Sequence, residues 1–531
     1  MKKRYIIGFL LAGASLVTSC TKNFEEVNTQ PDKLTDELIN PNYLMSQAQM
    51  TFSQTGYDQL LFQSMWMQSL ASTFSYYSNG DKYVYGGGGT GYFNRTWNRS
   101  YQALSLVYEM KNLIKDKPEY ANLDACATIL QAMFIQRVTD LHGDAPYSQA
   151  SQAKNGIFEP VFDKQQDIYK AILSQLEQAT AALDASKATP TADLFYGGNI
   201  AQWKRLGYSL MLKAAMRLTK VDAATAKTYA EKAYAGGTMS SISDNAKVMT
   251  DANGNTSSNS DALLVTDDFR EVRWGKTLID FMKSTNDPRV SAIAEITDGN
   301  GKAANEDRTK PGVTTYSLQI GMPNGYVTTG GSRDISNAPN YPGATPAASA
   351  TDAPAPLGKY SRPRLQVYAE RTSANFIYTY GESELLLAEA ATRGWSTGSA
   401  ATHYANALTA DMASLAQYNT SGAAAVNSTA IATYVAAHPL VSATALEQIN
   451  MEYYVATSTT FNFNETFANW RRSGFPVLTP ITYPGQFITG QVPRRMPYPT
   501  TLLQTNGANY QAAVQSQGPD NFATRVWWDK Q

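Results

Sequence analysis

Apolar side chains recurring every three or four residues, in segment after segment, restrict this chain to a mainly helical fold. Between about 163 and 184, Ile168, Ile172, Leu176, Ala179 and Leu183 fall on one face, the period of an amphipathic helix. The stretch 199–220 repeats the pattern with Trp203, Leu206, Leu210 and Ala214. Further helical stretches cover about 95–115 and 122–140, separated by Lys117-Pro118, then 222–235, 375–395, 400–416, 428–437, 443–456 and 464–471. A short Lys220-Val221-Asp222 corner makes an antiparallel pair of 199–220 and 222–235. Ala214, Ala230 and Ala233, and later Ala388, Ala391, Ala405 and Ala407, sit where paired helices would approach closely. Such pairs suggest tetratricopeptide-like units, although no full signature recurs at a fixed period. We expect a mainly α fold: a superhelix of tetratricopeptide-like helical pairs with long loop excursions and short hairpins.

The two ends of the chain differ from this body. Lys2, Lys3 and Arg4 precede an apolar run from Tyr5 to Val17, too short for a span of roughly 20 residues. Basic residues, apolar run and small residues in that order read as a secretory signal. The small residues end in Leu16-Val17-Thr18-Ser19-Cys20, which resembles a bacterial lipobox. We expect residues 1–19 to be cleaved, Cys20 to carry lipid, and 20–41 to serve as anchor and tether. The chain holds 2 cysteines, so lipidation of Cys20 leaves Cys126 alone and no internal disulfide can form. Cys126 lies in an apolar run and reads as a small core residue. The sixty C-terminal residues, rich in Pro, Tyr and Trp, would wrap over the body. Length allows several domains, but the continuous helical pattern favours a single domain over 42–531.

Two regions break the helical pattern. Asn79-Gly80-Asp81, Gly86 to Gly89 and Gly91 mark a loop-rich stretch. Residues 240–372 are dominated by Gly, Ser, Asn, Thr and Pro, with strand-like pieces at Leu263-Leu264-Val265 and Val313 to Ile320. Loops this long inside a folded domain are functional or disordered. Loop-borne aromatics concentrate here. One set is Tyr76, Tyr77, Asn79, Asp81, Lys82, Tyr83, Tyr85 and Tyr92; the other is Trp274, Tyr316, Tyr326 and Tyr341. Tyr and Trp offer flat apolar faces and polar tips with few torsions to freeze, which suits capture of a sugar. Trp97, Tyr101 and Tyr108 have helical spacing and read as core.

Other chemistry finds little support. The formal charge is −1 with no basic cluster, against a nucleic-acid footprint. His142, His403 and His438 are isolated, and neither a Gly-x-Ser-x-Gly elbow nor a His-Glu-x-x-His pair occurs. Gly86 to Gly89 lacks the Lys and Ser/Thr of a phosphate loop. The acidic loop from Asp251 has Thr256 and Ala262 where a calcium loop needs Gly and Glu. We expect no catalytic residue and no cofactor, with room for a structural calcium whose ligands the sequence does not specify.

Several strings in order resemble one family, the SusD/RagB-type nutrient-binding lipoproteins, in its second large branch. They are Phe24-Glu25-Glu26-Val27-Asn28-Thr29-Gln30-Pro31, the helix-ending Asp140-Leu141-His142-Gly143-Asp144-Ala145-Pro146-Tyr147, and Phe195-Tyr196-Gly197-Gly198-Asn199. Asp287-Pro288-Arg289, Tyr380-Gly381-Glu382-Ser383-Glu384-Leu385, Trp470-Arg471-Arg472-Ser473-Gly474-Phe475-Pro476 and Pro493-Arg494-Arg495-Met496-Pro497-Tyr498-Pro499 follow. Ser473 stands where the family favours threonine, and Gln149 where it favours glutamate. Asp140 and Asp144 read as turn and cap groups, and Arg472, Arg494 and Arg495 as partners of buried carboxylates. The resemblance implies a lipid-anchored protein on the outer membrane, facing the cell exterior. It would bind an oligo- or polysaccharide and deliver it to a SusC-like TonB-dependent β-barrel transporter. Family ligand contacts come from an early loop and a mid-chain excursion, so both aromatic sets above become the expected ligand site. A peptide ligand is the alternative, with an enzyme or adhesin behind it. One consequence is directly measurable. Cys20→Ala should abolish lipid labelling and release the protein from membranes of cells lacking the partner barrel; retention there would refute the lipobox reading.

Overall fold

The computed structural model of the chain describes residues 39–85 and 92–530. The expected signal peptide, Cys20, nearly all of the tether and the glycines between 86 and 91 lie outside the described residues. The helices are α1 (Pro41–Ser53), α2 (Arg95–Ile114), α3 (Ala121–His142), α4 (Gln165–Ala182), α5 (Ile200–Arg217), α6 (Ala223–Gly236), α7 (Tyr380–Thr392), α8 (Ala400–Ser414), α9 (Ser428–Ala437), α10 (Ala445–Thr459), α11 (Phe463–Ser473) and α12 (Gly507–Gln517), with shorter turns between them. Among the described residues no single helix is long and apolar enough to cross a membrane. From α2 to α6 each helix packs on the next, and α7 pairs with α8. The second series joins the first where α7 meets α5 and α11 meets α3. Asn42–Gln531 forms one compact unit.

Local sequence explains these elements. α3 is buried along most of its length, with Cys126, Ile129, Leu130, Phe134 and Val138 all buried and polar residues such as Gln136 and Asp140 buried beside them. It stops at Gly143, whose φ of +88° suits glycine. A Cβ there would lie 1.6 Å from the Gln517 side-chain oxygen. That amide accepts from Asp144 N at 2.7 Å and donates to His142 O at 2.9 Å, so α12 docks on the end of α3. Gly207 lets α5 approach α4, since a Cβ would meet Thr180 Oγ1 at 2.2 Å. Side chains of Asn199, Asp222 and Ser399 accept from the first turns of α5, α6 and α8, and Thr379 and Glu382 form a capping box on α7. Ala214, Ala230, Ala233, Ala388 and Ala407 are fully buried, as the pairing requires. Ala391 and Ala405 are instead part-exposed, on the outer side of their pair.

The short strands depart from expectation. No described ladder is a local hairpin; each closes distant segments. β1 (Leu70–Ser72) pairs antiparallel with β3 (Val272–Trp274), β2 (Ala246–Val248) with β6 (Asn375–Tyr378), and β4 (Ala294–Glu295) with β5 (Arg362–Pro363). Leu263 ends a helical turn, Ser258–Leu263, and is not in a strand; three apolar residues in a row fit a buried helix end equally well. Val313 makes one isolated bridge to Ile296, and Tyr316–Leu318 is a 3₁₀ turn. The excursion also holds helices Lys276–Ser284 and Arg289–Ile293.

Buried ion pairs lock the two helical series together. Arg217, fully buried, donates to Glu465 at 2.6 Å and to Asp140 at 3.3 Å. Asp140 also accepts from Trp528 Nε1 at 3.0 Å and from Tyr169, so it is the hub of a network and not the helix cap expected of it. Asp144 does act as a cap, accepting from Gln165 N at 2.9 Å. Arg472 grips Glu389 with two bonds of 2.6 Å, Arg494 pairs with Asp529, and Arg495 reaches Asp520 at 3.0 Å. Burial alone would raise the Glu465 pKa, but Arg217 and Lys213 overcome it and hold the carboxyl at about 2. A carboxyl depressed on folding adds stability that is full above its unfolded value, near 4.5, and is lost as pH falls toward 2. Wild type should therefore exceed Glu465→Gln by about 3 kcal/mol at pH 7, with the gap narrowing steadily below pH 4.5 in urea titrations. A gap independent of pH would contradict this assignment.

Candidate functional site

The early loop and the excursion meet at one buried carboxylate. Asp81 accepts from Ser72 N at 3.2 Å, Lys82 Nζ at 2.9 Å, Asn324 Nδ2 at 2.7 Å and Gly325 N at 2.9 Å. Lys82 Nζ returns to Ser72 O at 2.9 Å, and Asn324 also donates to Leu70 O at 2.9 Å. Both Asp81 and Lys82 are buried. The β1–β3 ladder lies beside this joint. The C-terminal tail is stitched on next to it, with Phe487 N donating to Tyr83 O at 2.7 Å.

Above the joint opens a cleft of about 530 Å³, lined by Gln68, Lys276, Thr277, Asp280, Pro323, Asn324, Tyr326, Arg333, Pro339 and residues 479–482. Its size lies within the range of small-ligand sites. Gln68 braces the floor, donating to Thr479 O and accepting from Thr277 Oγ1, both at 2.7 Å. Tyr326 and Arg333 sit on a loop that closes on itself: Val327 N donates to Arg333 O at 2.9 Å, Ile335 N to Val327 O at 2.8 Å, and Gly330 N to Asp334 at 2.8 Å. Tyr326 packs one side against a small core of Met322, Ile335, Leu357, Tyr360 and Ala71. Among the described residues the Arg333 guanidinium has no ion-pair partner, whereas Lys276 pairs with Asp280. Asp280 is the one carboxylate among the described residues lining the cleft. A half-buried ring, uncommitted guanidinium donors and side-chain amides can hold the face and hydroxyls of a polar ring.

The expected site residues separate into three groups. Tyr77, Asn79, Asp81, Lys82, Tyr83 and Trp274 are buried and cannot touch a ligand directly, a correction to the reading that loop residues would be accessible. Trp274 faces Tyr368 and Phe461 edge-on at 5.4 and 5.7 Å and donates to Ile293 O at 3.1 Å; strand pairing with β1 turns it into core. Tyr76 and Tyr92 form a second, half-buried aromatic group with Tyr57, with Arg95 stacked 3.7 Å over Tyr92. Burial and Tyr92 push the Tyr76 hydroxyl up to about 12. Burial likewise lifts Asp268, which accepts from Tyr57 at 2.8 Å, to about 6. Tyr85 is exposed but stands apart, packed beside Phe93, Phe487 and Phe522. Tyr316 borders a different cleft of about 490 Å³, and Tyr341 bonds Pro356 O at 2.9 Å and packs near Tyr360. Only Tyr326 of the expected residues lines the cleft above Asp81. Gln68, Lys276, Asn324, Arg333 and residues 479–482 lie outside the expected set; the Gly330-Gly331 pair shortly before Arg333, both glycines with positive φ, is a local sign of a built turn. Among the described residues no group of three or more His, Cys, Asp or Glu could hold a metal. Asp251 instead folds on its own loop, accepting from Asn253 N at 2.6 Å.

The SusD-like family model, described as "Starch-binding associating with outer membrane", matches residues 31–499. The chain belongs to the SusD-like family. A solved chitin-binding protein aligns at 29% identity and a TM-score of 0.76, over 93% of this chain and 100% of that one. A Bacteroidetes SusD-like structure aligns at 22% identity and a TM-score of 0.77, over 93% and 100% of the two chains. A chitin-binding SusD homologue from Flavobacterium johnsoniae aligns at 21% identity and a TM-score of 0.70, over 92% and 98%. The latter two likenesses show the SusD-like fold alone. No curated protein sequence matches the chain. The buried placement of Trp274 has a direct consequence. Trp274→Ala should cost about 3–5 kcal/mol of stability in urea unfolding, where Tyr85→Ala, at an exposed position, should cost little; comparable stability for the two would put Trp274 outside the core.

Proposed function

We propose that this SusD-like protein captures an oligosaccharide in the cleft above Asp81 and passes it, unaltered, to a SusC-like TonB-dependent barrel in the outer membrane. The carrying observation is the Tyr326–Arg333 loop. A self-bonded loop presents a ring and a guanidinium without an ion-pair partner among the described residues over amide-bearing walls, and Asp81 fixes that loop to the early segment. Sugars need a flat face for their C–H surface and fixed donors and acceptors for their hydroxyls. Capture without turnover fits a lining whose carboxylate, Asp280, is paired with Lys276, because glycoside hydrolysis relies on two carboxyl groups in defined roles. The chitin-binding relative at 29% identity makes chito-oligosaccharides the first probe. Anchoring through Cys20 would keep the cleft at the outer membrane, facing the cell exterior.

Binding should be visible by calorimetry against chito- and malto-oligosaccharides without release of shorter products. Loss of one stacked ring removes on the order of 0.5–1.5 kcal/mol, so Tyr326→Ala should weaken binding about threefold to tenfold while the chain stays folded, with some melting temperature lost along with its packing on the small core. Arg333→Ala should weaken it similarly. Full affinity in both variants would place the sugar elsewhere, and hydrolysis by the pure protein would overturn capture. A tagged chain should also co-purify a TonB-dependent barrel from its native membranes; recovery without one would remove the delivery step.

A further inference from the structure

A second cleft lies where the C-terminal segment returns to the end of α3. It has a volume of about 640 Å³ and shares no lining residue with the cleft above Asp81. Consecutive tryptophans divide the work at its wall. Trp528 is fully buried and donates to Asp140, which fixes the local backbone. Trp527 lines the cleft and is only partly buried, and its indole N–H has no hydrogen-bond partner among the described residues. The exposed Gln166 amide lies on the same lining.

Charge in this cleft is unbalanced. Its carboxylates are already engaged: Asp529 is fully buried between Arg494 and Arg525, the latter at 2.8 Å, and Asp144 caps α4. Lys164 and Lys530 line the same space, both exposed, and neither ammonium has an ion-pair partner among the described residues. An indole face with a free N–H, a free amide and two uncommitted ammonium groups are complementary to a sugar ring that carries an anionic group. We propose that this cleft is a second glycan site, selective for acidic oligosaccharides and independent of the capture cleft.

Oligogalacturonate is a suitable probe, with oligoglutamate of the same length as a control for charge alone. By calorimetry the wild-type chain should bind oligogalacturonate, more weakly as salt rises, because exposed charges are screened. The double variant Lys164→Gln/Lys530→Gln should lose about tenfold in affinity, as expected for two solvent-exposed ion pairs, while chito-oligosaccharide binding stays at the wild-type level. Trp527→Ala should lose about threefold to tenfold; should that variant fold poorly, the exposed lysines alone decide. Failure to bind oligogalacturonate, equal affinity for oligoglutamate, or affinity unchanged in the lysine variant would each overturn the proposal.

Discussion

The fold turns on a guanidinium with no access to water. Arg217 lies at the end of α5, fully buried, between Asp140 of α3 and Glu465 of α11. Lys213 and Tyr453 complete the Glu465 side, at 3.0 and 2.8 Å. An arginine in such a place must be paired, and removing one partner strands a charge at a cost of several kcal/mol. Replacing the whole group with apolar residues could be nearly neutral, so its importance is positional. The observed arrangement of α3, α5, α10 and α11 satisfies these groups together. Two further buried arginines repeat the device. Arg472 ties α11 to Glu389 of α7, and Arg289 ties the excursion to Glu452 of α10 at 2.6 Å. Residues far apart in the chain, up to 248 positions in the case of Arg217 and Glu465, are thus held in register by buried ion pairs.

The same logic operates on a smaller scale at the loops. A long excursion has few apolar residues with which to dock, and every buried backbone group still needs a partner. Asp81 supplies acceptors to four donors, two from the excursion and two from its own segment. The β1–β3 ladder adds backbone bonds between the same two segments. The result is a firm floor beneath the cleft, with Tyr326 and Arg333 on a short loop of its own above it. Rigidity here matters for recognition, because a ring held in place loses little entropy on binding.

Aromatic abundance by itself is a poor guide to such a site. The chain has 32 tyrosines and 8 tryptophans, and many of them build the core. Tyr368 stacks on Phe461 at 4.3 Å, and Trp203 packs against Phe195 at 5.9 Å. Others, such as Tyr101 and Tyr108, use their hydroxyls to hold loop carbonyls at 2.6 and 3.0 Å. Recognition surfaces are left to the few rings whose second face is uncovered.

The sequence by itself determined the helical body. Its apolar period, most of its close-contact alanines and its family strings are all local signals, and local signals survive without knowledge of contacts. It also marked out the excursion, and foresaw that Arg472 and Arg494 would meet buried carboxylates; Arg495 meets Asp520, which is part-exposed, and the expected early loop is helical at Ser75–Tyr77 and Ser78–Asp81. Tertiary structure alone decided which loop residues face solvent. Leu70 opposite Trp274 and Asp81 bonded to Asn324 are pairings across about two hundred residues or more, set by register and shape and not by any nearby pattern. Those pairings bury Trp274, Tyr77 and Tyr83 and leave Tyr326 and Arg333 at the cleft. Exposure is a property of the assembled surface, and a ring's place on that surface follows from what packs over it.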